Sequence, residues 1–288
     1  MKHRLVRRVE CIRGRLQLEV EVFPAFEYAT EPHTTTVLEE NHSCSHSSQS
    51  KTVTFHSKTV KLQLDVNIDN GDDDDAKTPP TVSFKKVMRP GMLGEGVVAI
   101  IDVSEGQGVS FVLRNDSPNH LTPVITNAVL DMQQHDTQSF WYNWISKSKY
   151  KGRWREVISR SLMILKLMTY EPTGAIIAAP TFSIPEDIGG VRNWDYRFSW
   201  VRDSSFTIYI LLRLGFTEEA DAYMDFISER FLTSRVADGG LPIMFTIRGE
   251  TDIPEKELTH LDGYKGSRPV RIGNGAAFHQ QFDIYGVK

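Results

Sequence analysis

Across 288 residues the chain sets 33 Lys and Arg against 37 Asp and Glu, with 40% hydrophobic and 24% charged residues. That length suits about two globular domains, and no apolar run approaches the ~18 residues that cross a bilayer. Near-neutral charge excludes an extended nucleic-acid surface despite the basic start MKHRLVRR, and two cysteines, Cys11 and Cys44, make no disulfide framework; with no signal-peptide core at the N-terminus, the expectation is a cytoplasmic protein with no nucleic-acid and no membrane partner.

The first part of the chain has a period of two. Leu16, Leu18, Val20 and Val22 alternate with Gln17, Glu19 and Glu21, and Val60, Leu62, Leu64, Val66 and Ile68 alternate with Lys61, Gln63, Asp65 and Asn67. Such alternation predicts half-buried antiparallel strands. Two further runs, VVAIIDV and VSFVLRN, are joined by SEGQG, a short Gly-containing connection that predicts a hairpin. The expectation for residues 1–125 is a β-sandwich. ENHSCSHSSQSKT and NGDDDDAKTPP interrupt it and are too polar to offset the entropy of ordering, so both are expected to be disordered loops.

All five Trp and eight of the nine Tyr fall after residue 140. A linker helix is expected over 126–150, and from 151 to 288 the apolar period is helical. Trp154, Val157, Ile158, Leu162, Leu165 and Met168 share one face. Arg202 to Leu214 is apolar nearly all round, which predicts a helix buried on most sides. The next helix, from Thr217, has the single stripe Ala220, Tyr223, Met224, Ile227 and Phe231. Buried and amphipathic helices in alternation suggest the start of a two-layer helical toroid.

Several motifs dissolve on inspection. Asp65, Asn67 and Asp69 begin an EF-hand spacing, but Asn70 stands where Gly is needed and Ala76 where a bidentate Glu belongs. His42, Cys44 and His46 lack structural-zinc spacing. GMLGEG and GNG open no phosphate-cradling helix. No metal and no cofactor are expected.

The stretch RNWDYRFSWVRDSS, Arg192 to Ser205, holds its reading better. Trp and Tyr present flat faces to the C–H faces of a sugar, while Arg and Asp make directional, charge-assisted hydrogen bonds to vicinal hydroxyls. A buried ion-pair network capping a helix, with Trp194 and Trp200 as core, would use the same residues. Two loop-like segments, DGGLPIMFTIRGE and HLDGYKGSRPVRIGNGAA, share this character. Through them Tyr264, Arg268, Arg271 and Asn274 are candidates to join Arg202 and Asp203 around one pocket.

YEPTGAIIAAPTFSIPEDIGGVRNWDYRFSWVRDSSFTIYILLRLGF resembles the signature of glycoside hydrolase family 15, the glucoamylases and related trehalases. GRWREVISRSLMILKLMTYEPTGA and GYKGSRPVRIGNGAAFHQQFDIYG resemble the same family, and the β-rich first part resembles its trehalase-like N-terminal domain. The resemblance implies a β-sandwich followed by an (α/α)6 toroid, and hydrolysis of an α-linked glucose oligosaccharide or trehalose with inversion. It assigns Trp200, Arg202 and Asp203 to the subsite that holds the non-reducing glucose, Tyr196 to an aromatic neighbour, and the segment of Arg268 and Arg271 to the rim; Trp194 and Tyr264 complete the substrate-binding set.

In the family a general acid and a base, both Glu, stand ~6.5 to 9.5 Å apart across the scissile bond. Both lie farther along than DIYGVK, so no catalytic residue is assigned here, and Asp195, Asp203, Asp238 and Glu250 are read as binding or structural groups. By the same comparison the chain is expected to be a fragment, opening inside the sandwich, short of the strands that precede LVRRVE, and closing about a third of the way round the toroid.

Overall fold

The computed structural model describes residues 4–39, 51–71, 78–115, 125–233 and 240–286. The sequence-based expectations for His42, Cys44, His46, Asp238 and most of the two polar loops lie outside them. Two compact units divide the chain, Met1–His135 and Asp136–Lys288, with the division inside a helix.

The first unit carries eight strands: β1 (Arg4–Glu10), β2 (Arg15–Val22), β3 (His33–Glu39), β4 (Lys51–Ser57), β5 (Lys61–Asp69), β6 (Val82–Val87), β7 (Gly96–Ser104) and β8 (Gly108–Asn115). They form two antiparallel sheets, in the orders β1-β8-β5-β4-β3 and β2-β7-β6. Alternate residues of both sheets, among them Val53, Phe55, Leu64, Val66, Ile101, Val103 and Phe111, make one core. On the opposite face of the larger sheet, Val112 packs with Ile125 and Leu130.

The expected hairpin between VVAIIDV and VSFVLRN is not formed. Strands β7 and β8 lie in different sheets, and so do β1 and β2. The two connections cross together. Cys11 N donates to Gln107 O at 2.9 Å, Gly106 N to Cys11 O at 2.9 Å and Glu105 N to Gly14 O at 2.8 Å, so the β1/β8 ladder continues round a corner into the β2/β7 ladder. The Gln107 side-chain carbonyl accepts from Ser104 N at 2.9 Å and clamps the turn. Each apolar run is an interior strand of its own sheet, a placement that alternation alone does not distinguish from a hairpin.

Helix α1 (Asn127–Ser146) spans the division, and the second unit adds α2 (Arg155–Leu167), α3 (Val201–Leu214) and α4 (Thr217–Thr233), four helices among the described residues. Trp144, Leu162, Leu211 and Phe216 form one cluster, and Ile208, Tyr223, Phe226, Ile243 and Phe245 belong to a larger one. Helix α3 stops at Gly215, whose φ of 96° is left-handed. Phe216 N then bonds back to Leu211 O, closing the helix end.

Helix α3 is not buried on most sides. Val201, Ser204, Ile208 and Leu211 are covered, whereas Phe206 is 65% and Tyr209 58% exposed. The α2 stripe is likewise open at Trp154 and Val157, with Leu162 its buried member, and the α4 stripe turns from Met224 to Phe226. That turn places Glu219 inside, where it receives Trp144 Nε1 at 2.6 Å and Lys166 Nζ at 2.8 Å. No helix among the described residues is long and apolar enough to cross a membrane.

Candidate functional site

Short strands position the Arg192–Ser205 stretch. Asn193–Asp195 pairs antiparallel with Phe182–Pro185, and its two-residue period buries Asn193 and Asp195 while leaving Trp194 and Tyr196 half-exposed. Ser199 and Trp200 pair with Phe245 and Met244, and Val201 N donates to Ile243 O at 3.0 Å, which pins the start of α3. Ser204 Oγ donates to Ile176 O from the buried side of the first turn.

The buried side chains tie this stretch to the 267–274 loop. Asn193 Nδ2 donates to Pro269 O at 3.2 Å, Asn274 Nδ2 to Asp195 O at 3.2 Å and Gly273 N to Asp195 Oδ2 at 3.1 Å. Asp195 also receives Arg197 Nε at 2.9 Å and Arg197 N at 3.1 Å. Replacing Asp195 by Ala removes the carboxylate acceptor of Gly273 N, Arg197 N and Arg197 Nε, while Asn274 Nδ2 keeps the main-chain carbonyl. The expected loss is about 1–3 kcal/mol, with Trp fluorescence reporting movement of Trp194 as the unit loosens. An unchanged melt and spectrum would mean the loop is held by other contacts.

Two groups of candidate residues emerge on this scaffold. In one, the Arg202 guanidinium lies 5.3 Å from the Trp200 ring centre and reaches Asp283 Oδ2 at 2.7 Å, Gln281 Oε1 at 3.0 Å and Asp203 Oδ2 at 3.6 Å. Hydrogen bonding to Arg202 holds the Asp283 carboxyl below the usual range. In the other, Arg271 stacks at 4.8 Å over Trp194, donates to Val191 O and meets Glu255 and Glu257. Beside it Glu186 receives Arg192 Nε at 2.6 Å and Tyr196 Oη at 3.5 Å. The Arg192 bond lowers the Glu186 carboxyl, while burial first and the Glu186 charge second raise the Tyr196 phenol.

Tyr264 and Arg268 are engaged within their own turn, Lys265 lying over the Tyr264 ring and Arg268 meeting Asp262. The described contacts thus join Arg202 to the 281–283 segment and Arg271 to Trp194, without drawing Tyr264 and Arg268 to Arg202. Asn274 serves as a buried tie. Sequence reasoning missed Glu186, Gln281 and Asp283. Their signal was thin: each is a single polar residue whose meaning depends on an arginine distant or several residues away.

Residues 152–288 match the model of glycosyl hydrolases family 15. The chain is 34% identical to a protein named trehalase from Mycolicibacterium smegmatis over 99% of its own length and 39% of that protein. It is 32% identical to a trehalase from Mycobacterium tuberculosis over 99% of its own length and 38% of that protein. A trehalase from Thermoplasma acidophilum is 39% identical over 66% of this chain and 32% of its own. The chain therefore spans roughly two-fifths of the two mycobacterial relatives' length. No solved structure matches it. The second unit, over nearly all its length, thus matches glycosyl hydrolases family 15, and the relatives named trehalase align along nearly the whole chain.

Proposed function

We propose that this chain supplies the glucose-holding part of an inverting glycoside hydrolase, with trehalose as its substrate, and that its second unit is the first part of an (α/α)6 toroid. The single observation that carries the reading is the Trp200–Arg202–Asp203 arrangement at the pinned start of α3, inside the family-matched region. A Trp face beside guanidinium donors and carboxylate acceptors suits a pyranose. Trehalose, in preference to another α-linked glucose oligosaccharide, follows from the names of the relatives.

Isothermal titration of the chain with trehalose, maltose and soluble starch tests this. Heat with trehalose is expected, and silence with all three sinks the sugar site.

A second reading is a carbohydrate-binding protein without hydrolysis, since the Trp200, Arg202 and Asp203 arrangement suits binding and no residue of this chain is assigned as general acid or base. On this reading the native polypeptide purified from its source binds trehalose yet releases no glucose from it. Glucose release at enzymatic rates selects the first reading.

A further inference from the structure

The donors of Arg202 are unevenly used. Nη1, which has two N–H bonds, has two acceptors, Asp283 Oδ2 at 2.7 Å and Gln281 Oε1 at 3.0 Å. Nε faces Asp203 Oδ2 at 3.6 Å, beyond hydrogen-bond reach. Nη2, the other terminal nitrogen, makes no hydrogen bond to any described residue. A guanidinium is a rigid plane, so two acceptors on one terminal nitrogen, with the Trp200 ring centre 5.3 Å from the guanidinium carbon, fix where the other terminal nitrogen points.

The acceptors are themselves anchored. Gln281 precedes and Asp283 lies within a short 3-10 turn, Phe282–Tyr285. Ile284 of that turn is buried in the same core as Val201, and Tyr285 Oη accepts from Leu241 N at 3.2 Å. The turn therefore brings its two acceptors to the start of α3 on a fixed base.

We propose, building on the sugar-binding reading, that Asp283 and Gln281 are positioning residues: they hold Nη1 of Arg202 so that the two N–H bonds of Nη2 are presented to adjacent hydroxyls of the sugar. Neither acceptor touches the sugar in this arrangement; both act through Arg202. An arginine left to itself samples many rotamers and loses them on binding, whereas one held beforehand has already lost them. Arg202 and Asp283 are each 39% exposed, so their pair adds little to folding. The gain appears in affinity instead.

Two acceptors on one nitrogen give the test, because the negative charge moves from one to the other without leaving Nη1. Isothermal titration of the full chain with trehalose should show binding by the parent. Asp283→Asn keeps the shape, removes the charge-assisted bond and should weaken binding by about tenfold. Gln281→Glu added to Asp283→Asn returns a carboxylate to Nη1 and should recover the affinity to within about threefold. Circular dichroism melts of both variants should match the parent's, which shows them folded. Parent-like binding by Asp283→Asn overturns the proposal and leaves the sugar site standing. A loss that Gln281→Glu fails to recover overturns it as well, since the carboxylate is then needed at 283 for something other than Nη1. A parent silent towards trehalose removes the sugar reading itself, and the proposal with it.

Discussion

Replacing Asp203 by Asn in an active family 15 enzyme that contains this region should lower kcat/KM by about 2–4 kcal/mol with little change in folding, as for the loss of one oriented group in a preorganised site. Asp203 sits in the first turn of α3, its side chain 47% exposed and 3.6 Å from Arg202 Nε. An exposed pair of this kind contributes only ~0–1 kcal/mol to stability. On the proposed sugar-binding reading its value lies in the charge it presents to sugar hydroxyls whose hydrogen bonds strengthen as the ring flattens towards an oxocarbenium ion. Asparagine keeps the shape and removes the charge. Steady-state kinetics beside a thermal melt separate the outcomes: a lower Tm with near-normal kinetics would make Asp203 a helix-end partner and no more.

The largest expected effect on stability is at Glu219. Its side chain is 3% exposed and shared by Lys166 Nζ and Trp144 Nε1, so Glu219→Ala leaves a cation and an indole N–H without their acceptor. Removing one partner of such a pair costs about 3–5 kcal/mol. Chemical denaturation should show that loss in the second unit's transition, and exchanging both Lys166 and Glu219 for Met should restore much of it.

The same group predicts a pH dependence. Burial pushes the Glu219 carboxyl up, but the hydrogen bonds from Lys166 and Trp144 more than reverse this, leaving it below its ordinary value of 4.5. A lowered folded value means the contribution is fully present above the unfolded pKa and fades as pH falls through the folded one. The acid limb of the unfolding curve should therefore flatten in the Met–Met variant. An unchanged acid limb would show that Glu219 stays ionised through the transition.

Strands were legible in the sequence because burial of one face imposes a period of two: Leu16 to Val22 became β2, and Leu64 and Val66 of β5 are buried. Partners were not legible. Nothing in SEGQG distinguishes a turn that folds a strand onto its neighbour from one that sends it into the facing sheet; the Gln107 clamp and the Cys11 ladder decide that through contacts distant in sequence. Likewise the composition of α3 reports how much surface the helix is able to bury, and Phe206 and Tyr209 report how much this chain covers. In the candidate site the residue types of Trp200, Arg202 and Asp203 suited sugar chemistry and an ion-pair network capping a helix alike. The Asp283 and Gln281 contacts to Arg202 and the Asp195 tie to Gly273 were invisible, since each joins segments that only the fold brings together.

The shared corner has a consequence for biogenesis. Strand β1 pairs with β8, the last strand of its unit, and β2 with β7, the last but one. In chain order β2 thus stays unpaired until β7 has been made, and β1 until β8 has. Contacts of such long sequence separation close slowly, because the loop must be ordered before any of them is gained. Until then the alternating apolar residues of β1 and β2 have no ladder to join, and the step that pairs them with β8 and β7 is the one that ties the two sheets together at the corner.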